Sequence, residues 1–208
     1  MLKTSKMAKI LLKAVSNTEA QNKLGRTPLH KAILQANKRQ VNIKNIHNIV
    51  LKLIKSGANP NAVDYYGFTP LEYAIRINDS KIFKLLIKNN AKFKKNRYEL
   101  FCQALESGNL TATKYLFKKE FLNNINDKNG QNYLYYIATG GNKEILEYLV
   151  KKNHDNGKKI LTQFVDKQRN TPIHIAAQNG QFEIIKNFQK LGFDINAEMQ
   201  MVKQFYIF

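Results

Sequence analysis

Cysteine is all but absent from this sequence. Cys102 is the single thiol among 208 residues, which excludes an internal disulfide and any metal site built from several cysteines. A reducing, cytoplasmic location fits that scarcity. Acidic residues are also few, 15 Asp and Glu against 34 Lys and Arg, leaving a formal net charge of +19. An excess of that size favours an acidic partner: an acidic protein, a nucleic acid or an anionic membrane surface. Arginine contributes little of it, at Arg26, Arg39, Arg76, Arg97 and Arg169 only. Readers of nucleic-acid bases depend on the bidentate arginine fork, so nucleic acid ranks below protein as a partner. The codon bias of an AT-rich genome would by itself produce this mixture of Lys, Asn and Ile. Long apolar runs are missing as well. The opening "MLKTSKMAKILLKAV" keeps an unbroken apolar run only from Ile10 to Leu12, too short for a signal peptide or a membrane span, and reads as an amphipathic helix. No H-E-x-x-H, Walker loop, G-x-S-x-G or deaminase pattern occurs, and those are the arrangements that hold metals, phosphates or nucleophiles. The sequence therefore argues against an enzyme and against a bound metal or cofactor.

What remains is apolar material, 43% of residues, enough for one packed domain or for a linear stack of small units. Laying the chain against itself decides between them. "LGRTPLHKAI" (24–33), "YGFTPLEYAI" (66–75) and "QRNTPIHIAA" (168–177) fall into register, with weaker copies "RYELFCQALESGN" (97–109) and "NGQNYLYYIATGGN" (129–142). Each is followed by a second apolar segment, such as "IVLKLIKSGANPNA" (49–62) and "EIIKNFQKLGFDINA" (183–197). Thr before Pro supplies an N-cap, and proline is tolerated at a first helical position because its missing N–H has no partner there. Each T-P therefore starts a helix. Ala32, Ala74, Ala104 and Ala176 let that inner helix approach its neighbour closely. Leu53 with Ile54, Leu85 with Leu86, Tyr115 with Leu116, Tyr148 with Leu149 and Ile184 with Ile185 give the following, outer helix its apolar stripe. Gly57 and Gly192 suit helix C-termini in the left-handed region, and Gly25, Gly67 and Gly130 suit the tips of connecting turns.

This pattern resembles the ankyrin repeat, whose period is about 33 residues and whose marker is T-P-L-H-x-A. The resemblance implies an all-α ankyrin-repeat solenoid, helix-turn-helix units joined by short β-hairpin fingers, as a single domain over 1–208. An N-terminal half-repeat cap is expected at 1–22, with its helix near 7–15. Five repeats follow at 23–62, 63–93, 94–125, 126–164 and 165–197, then a tail at 198–208. The Thr27-to-Thr69 interval exceeds the period by roughly nine residues, so the first repeat carries an insert near 37–48. The fourth carries another near 154–164, and the finger at "NNAKFKKNRYE" is stunted. The apolar tail either covers the open end of the stack or leads into further chain.

The resemblance also orders the candidate sites. His30 and His174 occupy the fourth position of T-P-L-H, where the imidazole hydrogen-bonds within and between repeats; Glu72, Cys102 and Tyr135 fill that slot elsewhere. His47 and His154 lie in the inserts and read as solvated, and Cys102 as an inert packed thiol. Partner contact in this family comes from finger tips and inner-helix ends. Carried across, that gives Lys23, Leu24, Arg26 and Leu34 in the first repeat and Tyr65, Tyr66, Phe68, Arg76 and Ile77 in the second. Lys128 and Asn129 follow in the fourth repeat, Lys167 and Gln168 in the fifth. Aromatic and apolar residues concentrate in the first two sets, and Tyr with Arg is the mixture that binding hot spots favour. The plainer alternative is that Tyr65 or Phe68 packs on a neighbouring finger. The function implied is a non-catalytic protein-binding module for an acidic protein partner, monomeric unless its C-terminal end pairs. An electrostatic nucleic-acid or anionic-membrane binder is the alternative. Lys-, Asn- and Ile-rich ankyrin proteins of this kind resemble those of intracellular bacteria, large viruses and some protists, which points to a host-directed effector.

Overall fold

The computed structural model describes residues 17–36, 42–123, 126–154 and 165–194. The cap helix expected at 7–15 and the tail at 198–208 lie outside them, as do 37–41 of the first insert and 155–164 of the second. Ten α-helices occur among the described residues, and none of these residues lies in a strand. The helices come in pairs: α1 (Pro28–Gln35) with α2 (Ile43–Lys55), α3 (Pro70–Arg76) with α4 (Ser80–Lys88), and α5 (Arg97–Glu106) with α6 (Leu110–Leu116). After a 3-10 turn at Lys119–Leu122 come α7 (Tyr133–Gly140) with α8 (Lys143–His154), then α9 (Pro172–Gln178) with α10 (Phe182–Lys190).

Local chemistry explains where they start. Pro28, Pro70 and Pro172 open α1, α3 and α9 directly after Thr27, Thr69 and Thr171. Outer helices α2, α4 and α6 use amide and carboxylate caps: Asn42, Asp79 and Asn109 each accept hydrogen bonds from amides of the first turn, satisfying donors that would otherwise be orphaned. Helix α2 begins at Ile43, so much of the first insert is simply an outer helix extended toward its N-terminus.

The chain divides into two compact units, residues 1–100 and 101–208, with the division inside α5. Within the first, α1 packs on α2 and α3 on α4, while inner α1 meets inner α3 and outer α2 meets outer α4. Leu29, Ile33, Leu71, Ile75, Ile82 and Leu86 are fully buried between these layers, and Ala74 admits no solvent at all. Within the second, α7 packs on α9, α9 on α10, and outer α8 on both α6 and α10. Its core is richer in rings: Phe101 lies 5.1 Å from Phe121 and 6.2 Å from Phe117, and Phe188 lies 4.7 Å from Phe193. Cys102 is buried here at 4% exposure. One member of the anticipated outer stripe turns outward: Tyr115 is 46% exposed, and Leu116 carries the burial on α6.

Candidate partner-binding face

The finger before α3 is built around Asp64. Its Oδ1 accepts the amides of Tyr66 at 3.0 Å and Phe68 at 2.9 Å, while Oδ2 accepts the Tyr73 hydroxyl at 2.6 Å and Arg26 Nε at 3.3 Å. Arg26 Nη2 donates to the same hydroxyl at 2.9 Å. Burial by itself would raise the Asp64 carboxyl, but the hydrogen bonds from Tyr73, Phe68, Arg26 and Tyr66 prevail and hold it below its ordinary value. Burial pushes the Tyr73 hydroxyl up, and its bond to Asp64 adds to that.

This arrangement recurs. Asn22 Oδ1 accepts the amides of Leu24 and Arg26, Asp127 Oδ1 those of Asn129 and Gln131, and Asp166 Oδ1 those of Gln168 and Asn170. Main-chain bonds Asp64 N–H to Phe68 O, Asp127 N–H to Gln131 O and Asp166 N–H to Asn170 O close the loops. The fingers are thus closed turns rather than paired strands. Each is tied to its neighbour through the backbone, Tyr65 N–H to Leu24 O at 3.1 Å in the first unit and Lys167 N–H to Asn129 O at 2.9 Å in the second.

The inner helices add a second tie. Thr27 N–H donates to His30 Nδ1 at 3.2 Å, which makes Nε2 the donor to Phe68 O at 3.1 Å. Where Tyr135 stands in place of His, its hydroxyl donates to Asn170 O at 2.7 Å, the carbonyl in the corresponding position. Glu72, completely buried, accepts the amides of Thr69 at 2.9 Å and Lys95 at 3.3 Å. Lys95 lies on the stunted link, so Glu72 reaches the next repeat as the others do.

A family model described as ankyrin repeats, three copies, matches residues 3–98 and again 100–199. The chain belongs to the ankyrin repeat family. It is 98% identical over 197 residues to an ankyrin repeat protein of Rickettsia bellii, covering 95% of this chain and 28% of that protein. An ankyrin repeat protein of fowlpox virus is 30% identical over 117 residues, 56% of this chain and 28% of its own. The human transient receptor potential cation channel subfamily A member 1 is 27% identical over 168 residues, 78% of this chain and 14% of its own. The chain spans less than a third of the length of each of these relatives. Ankyrin repeats are in general non-catalytic modules for protein–protein interaction. No helix among the described residues is long and apolar enough to cross a membrane.

The ankyrin fingers of the first unit bring several anticipated residues together. Tyr65 and Tyr66 are 72% and 61% exposed, and Leu24 is 37% exposed. Tyr65 nevertheless leans on the preceding finger, its ring directly against Gly25 where a Cβ would overlap it. Arg26 lies over Tyr66 at 5.7 Å and Tyr73 at 5.4 Å. Phe68 differs from the two tyrosines: it is half-buried, its ring 5.4 Å from Tyr73, with Arg76 at 4.9 Å and Lys95 at 4.6 Å from its centroid. Lys23 and Arg76 are exposed, and Leu34 and Ile77 are half-buried at the ends of α1 and α3. In the second unit Lys128, Asn129, Lys167 and Gln168 are exposed, with Asn129 and Lys167 joined by the backbone tie.

One expectation needs correction. His47 is not a solvated loop residue: it sits on α2 with Nε2 2.9 Å from Asp79 Oδ2, both side chains less than a fifth exposed, because the helix starts at Ile43, ahead of it. Asp64 and Tyr73, which organise the face, are not among the residues that the repeat pattern singles out. The signal was there, an Asn or Asp three residues before each tip glycine at positions 22, 64 and 127.

Proposed function

We propose that the finger face of the first unit is a protein-binding surface centred on Tyr65 and Tyr66 and addressed to an acidic partner. One observation carries this reading: two largely exposed rings stand on a turn whose backbone is fixed by Asp64 and by the tie to Leu24. A turn needs neither ring for its geometry, and covering rings held in advance removes apolar surface from water at little entropic cost. The net charge of +19 supports an acidic partner, and the general use of ankyrin repeats supports a protein. We further read the chain as acting in the cytoplasm or, as a host-directed effector, in the host cytosol; its likeness to proteins of Rickettsia bellii and fowlpox virus supports that reading.

The test is capture of proteins from a eukaryotic lysate, with affinities then measured for the proteins identified by mass spectrometry. Tyr65→Ala with Tyr66→Ala is expected to cost at least ~2 kcal/mol of affinity, the hot-spot scale, with an almost unchanged melting temperature. Capture that survives the double substitution would place the binding surface elsewhere. Binding that collapses steeply with salt and needs only phosphate would support the nucleic-acid or membrane alternative instead.

A further inference from the structure

We propose that Arg76 and Lys95, both held over the ring of Phe68, form a receptor for a single carboxylate: the Asp or Glu side chain of an acidic protein segment whose apolar neighbour rests on Tyr65 and Tyr66. This inference rests on the reading of the face as a protein-binding surface and names what it selects.

The two arginines of the face are in opposite situations. Arg26 has given Nε to Asp64 and Nη2 to the Tyr73 hydroxyl, and is part of the scaffold. Arg76, the exposed last residue of α3, pairs with no carboxylate among the described residues and has the Phe68 ring as its neighbour at 4.9 Å. A guanidinium resting on a ring keeps its planar fork of N–H donors, the shape that matches a carboxylate in bidentate fashion. Phe68 is a firm base for it, since the Phe68 amide is bound by Asp64 and its carbonyl by His30. Lys95 approaches the same ring at 4.6 Å and brings a second cation to the spot. An anion reaching Arg76 beside this ring is attracted by both cations.

Charge counting then favours a monoanion such as a carboxylate over a phosphomonoester. Lys95 Nζ already holds Glu99 Oε1 at 2.8 Å, so the three groups together carry one net positive charge. That balances a monoanion. A phosphomonoester, with more than one negative charge, would exceed that balance beside Glu99, whereas a phosphodiester is also a monoanion and is separated by experiment. The neighbouring surface offers rings as well as charge: exposed Tyr65 and Tyr66 stand on the same turn as Phe68, with Arg26 over the Tyr66 ring, which suits an apolar side chain beside the acid.

The experiment is selection of a displayed library of random short peptides on the full chain. Enriched peptides are expected to carry Asp or Glu at a fixed spacing from an aromatic or aliphatic residue. A synthetic peptide of the enriched sequence should weaken about tenfold on Arg76→Gln, and by a similar factor when its own Glu is changed to Gln. The two changes together should cost little more than either alone, the mark of a direct pair. Arg76→Gln is at an exposed site, and an unaltered circular dichroism spectrum confirms its fold. Equal affinity for the Glu and Gln peptides, with binding still lost in Tyr65→Ala/Tyr66→Ala, would overturn the carboxylate receptor and leave the protein-binding face standing. Failure to select any peptide that needs the two rings would remove both. Binding of a thymidine oligonucleotide or of phosphatidylglycerol vesicles, whose headgroup has no carboxylate, at physiological salt, lost on Arg76→Gln, would show the occupant to be phosphate and overturn the proposal.

Discussion

Arg169 has a φ of 64° at the finger position where Gly67 has 82° and Gly130 has 79°. A residue with a Cβ strains in this left-handed region, so Arg169→Gly is expected to stabilise the protein by about 0.5–1 kcal/mol, read as a higher urea midpoint. The reverse change should show the same term with opposite sign. Nothing lies within 4 Å of a Cβ at position 67, so Gly67→Ala should cost about 1 kcal/mol through the backbone alone. His30 provides a pH dependence. Burial depresses its imidazole, and the Phe68 carbonyl and the Asp64 charge only partly offset it. With a folded value below the unfolded one, His30 stays neutral in the native chain while the unfolded chain takes up a proton. Its contribution is therefore complete above about pH 6.5 and falls as pH drops toward the folded value. Melting temperatures measured from neutral to mildly acidic pH should decline in the wild type and decline less in His30→Gln.

At the level of elements, the finger and the inner helix behind it act as one hydrogen-bonded piece. Asp64→Ala removes four hydrogen bonds and leaves Arg26 and Tyr73 without their acceptor, a loss expected to reach roughly 3 kcal/mol. The part due to its depressed carboxyl is present above the ordinary carboxylate range and vanishes as pH falls through the folded value. Tyr135→Phe is a finer probe in the second unit. It removes the hydroxyl that donates to Asn170 O and should cost about 1–2 kcal/mol by chemical denaturation, with helicity unchanged. Much of this level was legible in the sequence. The T-P starts of α1, α3 and α9, the packed alanines and the tip glycines follow from rules that act within a few residues. What escaped depends on distant partners. Asp64 meets Arg26 and His47 meets Asp79 across 38 and 32 positions, and no periodicity reports such a pairing. The sequence groups Phe68 with Tyr65 and Tyr66 because the three surround one glycine. The turn sends two rings outward and lays the third against Tyr73, a division that backbone geometry makes and composition does not.

For the molecule as a whole, charge and connectivity matter most. A net charge of +19 on 208 residues repels itself, and salt screens that repulsion over roughly 8–10 Å at ordinary ionic strength. The melting temperature is therefore expected to rise between low and moderate salt, while a chelator leaves the helical circular dichroism spectrum unchanged. A flat salt response would mean that the excess lysines lie too far apart to interact. Connectivity bears on a different question. The ties between fingers, Tyr65 to Leu24 and Lys167 to Asn129, run from amide to carbonyl, and every residue except proline has that amide to give. The finger before α3 presents Tyr65 and Tyr66 to solvent, the last presents Lys167 and Gln168, and the same main-chain bond supports both. The tips are therefore nearly exempt from the selection that preserves the fold. Their chemistry is open to rapid change under pressure from a changing partner, and a lineage of such chains would diverge first at these positions.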